Sequence, residues 1–194
     1  AEGLKKRGLQ VERSNTLDAL LDAGKLASMD LITPIWTMGK MTGEQWKALD
    51  AAVRAGTGIA GVHGGMGDAF RDNLSYQWMV GGQFVGHPHV GQYEVRLTGE
   101  VDPITDGMPQ SWQYSSEQYY MLTDPGNRVL ADTLYEHDGR RAVMPVVWTR
   151  SWGKGRVFYS ALGHVAKEFA DYPHVLEMTL RGMVWAAEGK ALAR

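Results

Sequence analysis

The stretch GIAGVHGGMGDAF, residues 58–70, decides the fold. Its first half is a short apolar run; its second half breaks into glycines around one histidine, His63. A buried strand that ends in a tight glycine-flanked turn is where α/β enzymes hold a reacting side chain, with the next helix starting beside it. Ser or Cys usually stands at such an elbow, and here the position carries an imidazole.

Upstream of the elbow, strand and helix signals alternate. LQVERSN (9–15) reads as a short strand, and TLDALLDAG (16–24) as a helix with Thr16 at its N-cap and Gly24 past its end. DLITPIW (30–36) is an apolar, β-branched strand. MTGEQWKALDAAVRAG (41–56) opens on a capping box, Thr42 with Gln45, carries Trp46, Leu49 and Val53 on one face, and stops at Gly56. This β–α–β–α–β order predicts a mainly parallel sheet with helices on both faces.

Downstream the pattern changes. QYEVRLTG (92–99), RVLADTLY (128–135), PVVWTRSW (145–152) and RVFYSAL (156–162) read as strands with few helical signals between them. Such a series predicts antiparallel strands added to the sheet, with a hairpin turn at Gly153 and Gly155. The closing YPHVLEMTLRGMVWAAEG (172–189) predicts an amphipathic helix with Leu176, Leu180, Met183, Val184 and Ala187 toward the sheet. No linker or repeat divides the chain, so one domain over residues 1–194 is expected.

Composition narrows the function. The 194 residues carry 20 basic and 22 acidic groups, a net charge of −2, and no long basic run, which argues against nucleic acid as a partner. Cysteine is absent, so thiol nucleophiles, thiolate metal sites and disulfides are excluded. No apolar stretch approaches the ~20 residues of a membrane span. Seven Trp and eight Tyr supply aromatic faces suited to sugar rings as well as to a core. Two apparent nucleotide motifs fail on context. GTGIAG (56–61) enters a strand instead of leaving one, and GKGR (153–156) lacks the hydroxyl residue of a P-loop, so no nucleotide cofactor is expected.

The remaining signals centre on histidine. His164 repeats the logic of His63, following a buried strand and a glycine in YSALGHVAKEF. His87 and His89 stand two apart in FVGHPHV, where an extended backbone would turn them the same way and Pro88 favours a turn. Glu117 lies among aromatics in YSSEQYYML, an environment in which a carboxylate needs a partner. The candidate catalytic residues are therefore His63, Glu117 and His164. Trp36, Gly64, Gly65, His87, Tyr119 and Tyr120 are candidates for substrate contact. Imidazoles suit a divalent metal such as zinc, with His63, His87 and His164 as candidate ligands. His137 and His174 read as surface residues. Around these groups the expected rim is aromatic and hydroxyl-rich, with Tyr93 among the aromatics and Lys40 nearly the only cation.

Several of these stretches together resemble the ThuA-like, or trehalose-utilisation, proteins. The matching segments are GTGIAGVHGG, WMVGGQFVGHP, DPITDGMP, SEQYYML, PVVWTRSWGKGRVFYSALGH and RGMVWAAEG, in the expected order over residues 30–189. The resemblance implies a flavodoxin-like, three-layer α/β sandwich related to the class I glutamine amidotransferases. Those enzymes carry a catalytic Cys at the elbow and a distant His, at about the place of His164. Here His63 occupies the elbow, so hydrolysis of glutamine through a thioester is excluded. The resemblance also implies a further strand ahead of the first one read here, whose loop would contribute another His.

What the family implies is carbohydrate catabolism in the cytoplasm, on a disaccharide or the 3-keto sugar that a partner NAD-dependent dehydrogenase makes from it. An isomerase or lyase would use the His and Glu groups for acid–base or metal-assisted chemistry. A non-catalytic sugar-binding protein and a metal-dependent hydrolase are the alternatives, and a homo-oligomer is left open.

Overall fold

A computed structural model describes residues 1–192. Seven strands form one mixed sheet in the order β1-β2-β7-β6-β5-β3-β4. They are β1 (Leu31–Ile32), β2 (Gly58–Val62), β3 (Gly82–Leu97), β4 (Ser111–Thr123), β5 (Arg128–His137), β6 (Arg140–Trp152) and β7 (Gly155–Ser160). The α/β class holds, but the sheet is not mainly parallel. Only β1–β2 and β2–β7 pair parallel, and the other four pairings are antiparallel.

The upstream elements are shorter than their sequence pattern. Residues 9–15 form no strand, and β1 stops at Ile32, two residues ahead of Pro34. TLDALLDAG divides into a 3-10 turn, Leu17–Leu21, and helix α2 (Ala23–Ser28), with Asp22 as the cap between them. Short helix α1 (Glu2–Lys5) precedes both. Helix α3 (Gly43–Arg54) forms as read, with both halves of the Thr42–Gln45 capping box present and Leu49 and Val53 buried.

Strands β2 and β7 are buried along most of their length, because helices cover them. Helix α7 (Pro173–Leu192) lies on both of them, using Val175, Met178, Gly182, Met183 and Ala186. The buried stripe is thus rotated from the one read in sequence, since Leu176 is left exposed. Its small residues explain the rotation. A Cβ on Gly182 would lie 2.3 Å from the Phe158 ring, so the helix backbone reaches the sheet only with glycine there. Helices α4 (His63–Gly67) and α5 (Leu74–Val80) follow β2, and α6 (Ala166–Asp171) follows β7. β6 and β7 join through the two-residue turn Gly153–Lys154, with Gly153 at φ +60.

Two features of this architecture build the site. β2 and β7 are parallel neighbours, Val62 opposite Ser160, so the turns that leave them open on the same edge of the sheet. The long β3–β4 ribbon then comes back over that edge. Register irregularities between Phe84, Gly86 and His89 interrupt its pairing with β4 where it does so.

A histidine elbow as candidate functional site

His63 is the first residue of α4 and has φ +47. The left-handed region is costly for a residue with a Cβ, and it is the backbone by which an elbow lifts its side chain out of the strand line. The chain around it explains how this is held. Tyr159 of β7 donates its hydroxyl to the His63 carbonyl at 3.2 Å. Tyr119 of β4 places its hydroxyl 2.7 Å from His63 Nδ1. A Cβ on Gly64 would stand 3.2 Å from that same hydroxyl, so the approach of β4 depends on the glycine.

Three groups then converge. Glu117 Oε2 lies 3.5 Å from His63 Nε2 and 3.6 Å from His164 Nδ1, and the two imidazoles are 4.9 Å apart by ring centre. His87 Nε2 approaches the other oxygen, Oε1, at 3.8 Å. These separations are longer than ordinary hydrogen bonds, so the carboxylate is surrounded by nitrogen without being tied to any one of them. His63 Nε2 is buried with no hydrogen-bond partner among the described residues. The cleft holding these groups has a volume of about 470 Å³ and reaches Thr37, Phe84 and Gly163.

Burial lowers the His63 pKa to about 3, and the neighbouring His164 and His87 push in the same direction. The ring is therefore neutral at neutral pH. Burial raises the Tyr119 pKa, which keeps its hydroxyl protonated and able to donate to Nδ1. With the hydroxyl donating to Nδ1, the His63 proton sits on Nε2, turned toward Glu117 and the cleft; with the hydroxyl accepting, Nε2 presents a lone pair there instead.

His164 owes its position to a second buried carboxylate. Glu168 accepts from the His164 backbone N–H at 2.9 Å, the Tyr114 hydroxyl at 2.6 Å and the Ser116 hydroxyl at 2.8 Å. The Tyr114 hydroxyl in turn accepts from Gly163 N–H at 3.0 Å. The loop after β7 is thereby fastened to the strand that carries Glu117.

His63, Glu117 and His164 are the described residues whose donor atoms gather closely enough to hold a metal, all within 4.8 Å of one another. Two ligands on a tetrahedral zinc stand about 3.4 Å apart, since each Zn–N or Zn–O distance is ~2.0–2.1 Å. The two separations from Glu117, 3.5 and 3.6 Å, fit that spacing, the two imidazole nitrogens lie within 4.8 Å of each other, and the unpartnered Nε2 of His63 offers a lone pair when its proton sits on Nδ1. His87 does not join this set, so the ligand trio read from sequence gives up His87 for Glu117.

Other expected contacts part company with the cleft. Gly64, Gly65, His87 and Tyr119 do line it. Tyr120 does not, because successive residues of β4 face opposite ways, and its ring packs 5.6 Å from Tyr135. Trp36 is half-buried against the core beside Gly39 and reaches the elbow only through its backbone N–H, which donates to the Gly65 carbonyl. Tyr93 lies buried behind the cleft and donates to the Glu117 carbonyl at 3.3 Å. His89 turns to the Gln92 carbonyl, 3.2 Å away. His137 is exposed as expected, whereas His174 is half-buried edge-on to Trp112.

The cation at the cleft is Arg71, a residue that the sequence reading passed over, while Lys40 is exposed and pairs with Asp72. Arg71 is committed on one edge to the buried Asp68, through Nε to Oδ1 at 2.5 Å and Nη2 to Oδ2 at 2.8 Å. That pair is neutral, so the cleft does not present a free positive charge. Only the spacing D-A-F-R just after the elbow hinted at it.

Fold and site together define an α/β protein with one seven-stranded mixed sheet flanked by helices, whose elbow after β2 carries a histidine. The chain belongs to the ThuA family, described as trehalose utilisation, whose model matches residues 1–186. Among solved structures it is similar to ThuA-like proteins from Bacteroides uniformis and Parabacteroides merdae. The first has a TM-score of 0.75 at 18% identity, covering 96% of this chain and 81% of that one. The second has a TM-score of 0.70 at 19% identity, covering 97% and 83%. A cytoplasmic protein from Salmonella typhimurium shares the fold with a TM-score of 0.71 at 11% identity, covering 100% and 85%. At these identities the likeness is one of fold. No curated protein matches the chain. No helix among the described residues is long and apolar enough to cross a membrane.

Proposed function

We propose that this protein acts in the cytoplasm on a disaccharide or its 3-keto derivative, as an isomerase or lyase that removes a proton next to the sugar carbonyl. The observation that carries the reading is the convergence of Glu117 with His63 and His164 in one cleft. A 3-keto sugar has acidified C–H bonds beside its carbonyl, so the reaction needs a base and a donor for the oxygen that becomes an enolate.

Glu117 is the base. Its oxygens are held by no hydrogen bond of ordinary length, and it takes the proton while the C–H electron pair moves into the new C=C bond. Neutral His63 is the donor: its Nε2–H hydrogen-bonds the enolate oxygen, while Tyr119 fixes the ring through Nδ1. His164, half-exposed at the mouth, delivers a proton to the neighbouring carbon or to a leaving oxygen. In the alternative, metal-assisted version, with the His63 proton on Nδ1, a divalent metal held by His63, Glu117 and His164 would take over the donor's part and supply Lewis-acid polarisation of the carbonyl. The sugar substrate would reach this chain from a dehydrogenase that oxidises the 3-hydroxyl, NAD-dependent by the usual chemistry of that step.

The test follows solvent exchange. A 3-keto disaccharide incubated with the protein in deuterium oxide is expected to lose the proton signal of the carbon beside the carbonyl, and Glu117→Gln to abolish that loss. Binding without exchange would make this a sugar-binding protein and overturn the catalytic reading.

A further inference from the structure

The β3 segment from Phe84 to Pro88 is a wall with two surfaces. Phe84 and His87 line the cleft of His63, Glu117 and His164, and the same two residues line a second groove of about 760 Å³. Nothing in the proposed chemistry uses this groove. Val85 and Tyr120 form its floor and are 54% and 36% exposed, a high figure for apolar surface recessed in a cleft. Tyr120 and Tyr135 stand 5.6 Å apart, and the Tyr135 ring lies within 11° of parallel to that of His137. Arg140 ends the groove, its guanidinium in no ion pair among the described residues, whereas Arg141 is held by Glu136.

We infer that this groove is a second subsite, which receives the ring attached to the reacting sugar. The inference rests on the sugar reading of the cleft. Its occupant is a ring with one apolar face, either a second pyranose or an aryl aglycone. Such a face stacks on tyrosine, and Arg140 and His137 donate to the hydroxyls at its edge. The shared wall is what favours this occupant over a separate partner. Phe84 and His87 border both spaces, so a ligand anchored at Glu117 and longer than one ring can reach round His87 to an aromatic surface. Within the groove Tyr120 meets Tyr135 and Tyr135 meets His137, so its aromatic faces are continuous from one to the next.

Calorimetry with glucose, trehalose and phenyl β-glucoside separates the outcomes. Both two-ring probes are expected to bind about tenfold more tightly than glucose, the effect of one well-stacked ring. Tyr120→Ala and Tyr135→Ala should each remove most of that difference and leave glucose unchanged, and Tyr135→Phe should retain it. Thermal unfolding of each variant checks that the fold is intact. A gain with only one two-ring probe identifies the kind of ring the subsite takes. Equal binding of one- and two-ring probes overturns the subsite while leaving the sugar reading in place. If neither these three nor a 3-keto disaccharide binds, the sugar reading falls and the subsite with it. A dimer that Tyr120→Ala converts to monomer, with ligand binding unaltered, would assign the groove to a second copy of the chain instead.

Discussion

Acidification should destabilise this protein through His63 in particular. In the unfolded chain the imidazole has its ordinary pKa of 6.5, and in the folded protein burial, with His164 and His87 beside it, lowers it to about 3. Between those values the unfolded chain binds one more proton than the folded one, so stability rises with pH and is lost as pH falls. The loss begins near pH 6.5 and is complete below about pH 3. Integrated from pH 7 to pH 5, this one group costs about 2 kcal/mol, and about 4–5 kcal/mol over the whole window. Against a typical stability of ~5–15 kcal/mol, that is a large share for a single side chain. The perturbation is His63→Asn, chosen because asparagine tolerates the left-handed backbone at φ +47 better than most residues. Urea unfolding of chelator-treated wild type and variant at pH 7, 6 and 5 gives two stability curves. All groups common to both, His174 among them, cancel in the difference. The difference should narrow by about 2 kcal/mol between pH 7 and pH 5, to the disadvantage of the wild type. Parallel curves would refute the reasoning. They would mean that the Glu117 carboxylate, 3.5 Å from Nε2, offsets the burial of the ring, whereas a difference that widens toward pH 5 would mean that it outweighs burial and holds an imidazolium.

Two further outcomes test the site. Zinc titrated into the chelator-treated protein is expected to bind one to one, with His63→Asn and His164→Asn each weakening it at least about a hundredfold and His87→Asn nearly silent; loss of binding in His87→Asn alone would reinstate the ligand trio read from sequence. Glu168→Ala strands three buried donors, those of Tyr114, Ser116 and the His164 backbone, so it should cost about 2–5 kcal/mol in urea unfolding and weaken zinc as the His164 loop loosens; an unchanged zinc affinity would show that His164 is positioned by other contacts.

The parts of the site legible in sequence were those whose signal is local. His63 ends an apolar run and precedes a glycine pair, His164 follows an apolar run and a glycine, and a strand end needs nothing distant to be recognised. That both strands are parallel neighbours then brings the two rings to one edge without further information. Glu117 was found for a different reason: a carboxylate among aromatics has to have company. The family resemblance supplied the α/β class but no distance. Failures arose where the backbone departs from a simple period. The GGQFVGHPHVG segment looks like turn, with four glycines and a proline, yet from Gly82 on it is the start of a 16-residue strand that supplies two walls. Missing it made the sheet look mainly parallel.

The same irregularity decided which histidine counts. In a regular strand His87 and His89 would face alike, but the register slips between Gly86 and His89 divide them, one toward Glu117 and the other toward Gln92. Tyr119 and Tyr120 went wrong in the opposite sense, because there the two-residue period does hold and only one of two neighbours can face the cleft. Arg71 was out of reach altogether, since its place depends on Asp68 and on Phe84, whose ring it overhangs at 5.6 Å. A guanidinium with an aspartate three residues earlier looks like any surface pair. What turns it into part of the cleft is that the five-residue helix starting at His63 ends at Gly67, which leaves Asp68 and Arg71 beside the elbow. Sequence patterns thus expose what a strand end presents, while the walls of the cleft are set by where a ribbon bends, and a bend is a property of pairing between distant segments.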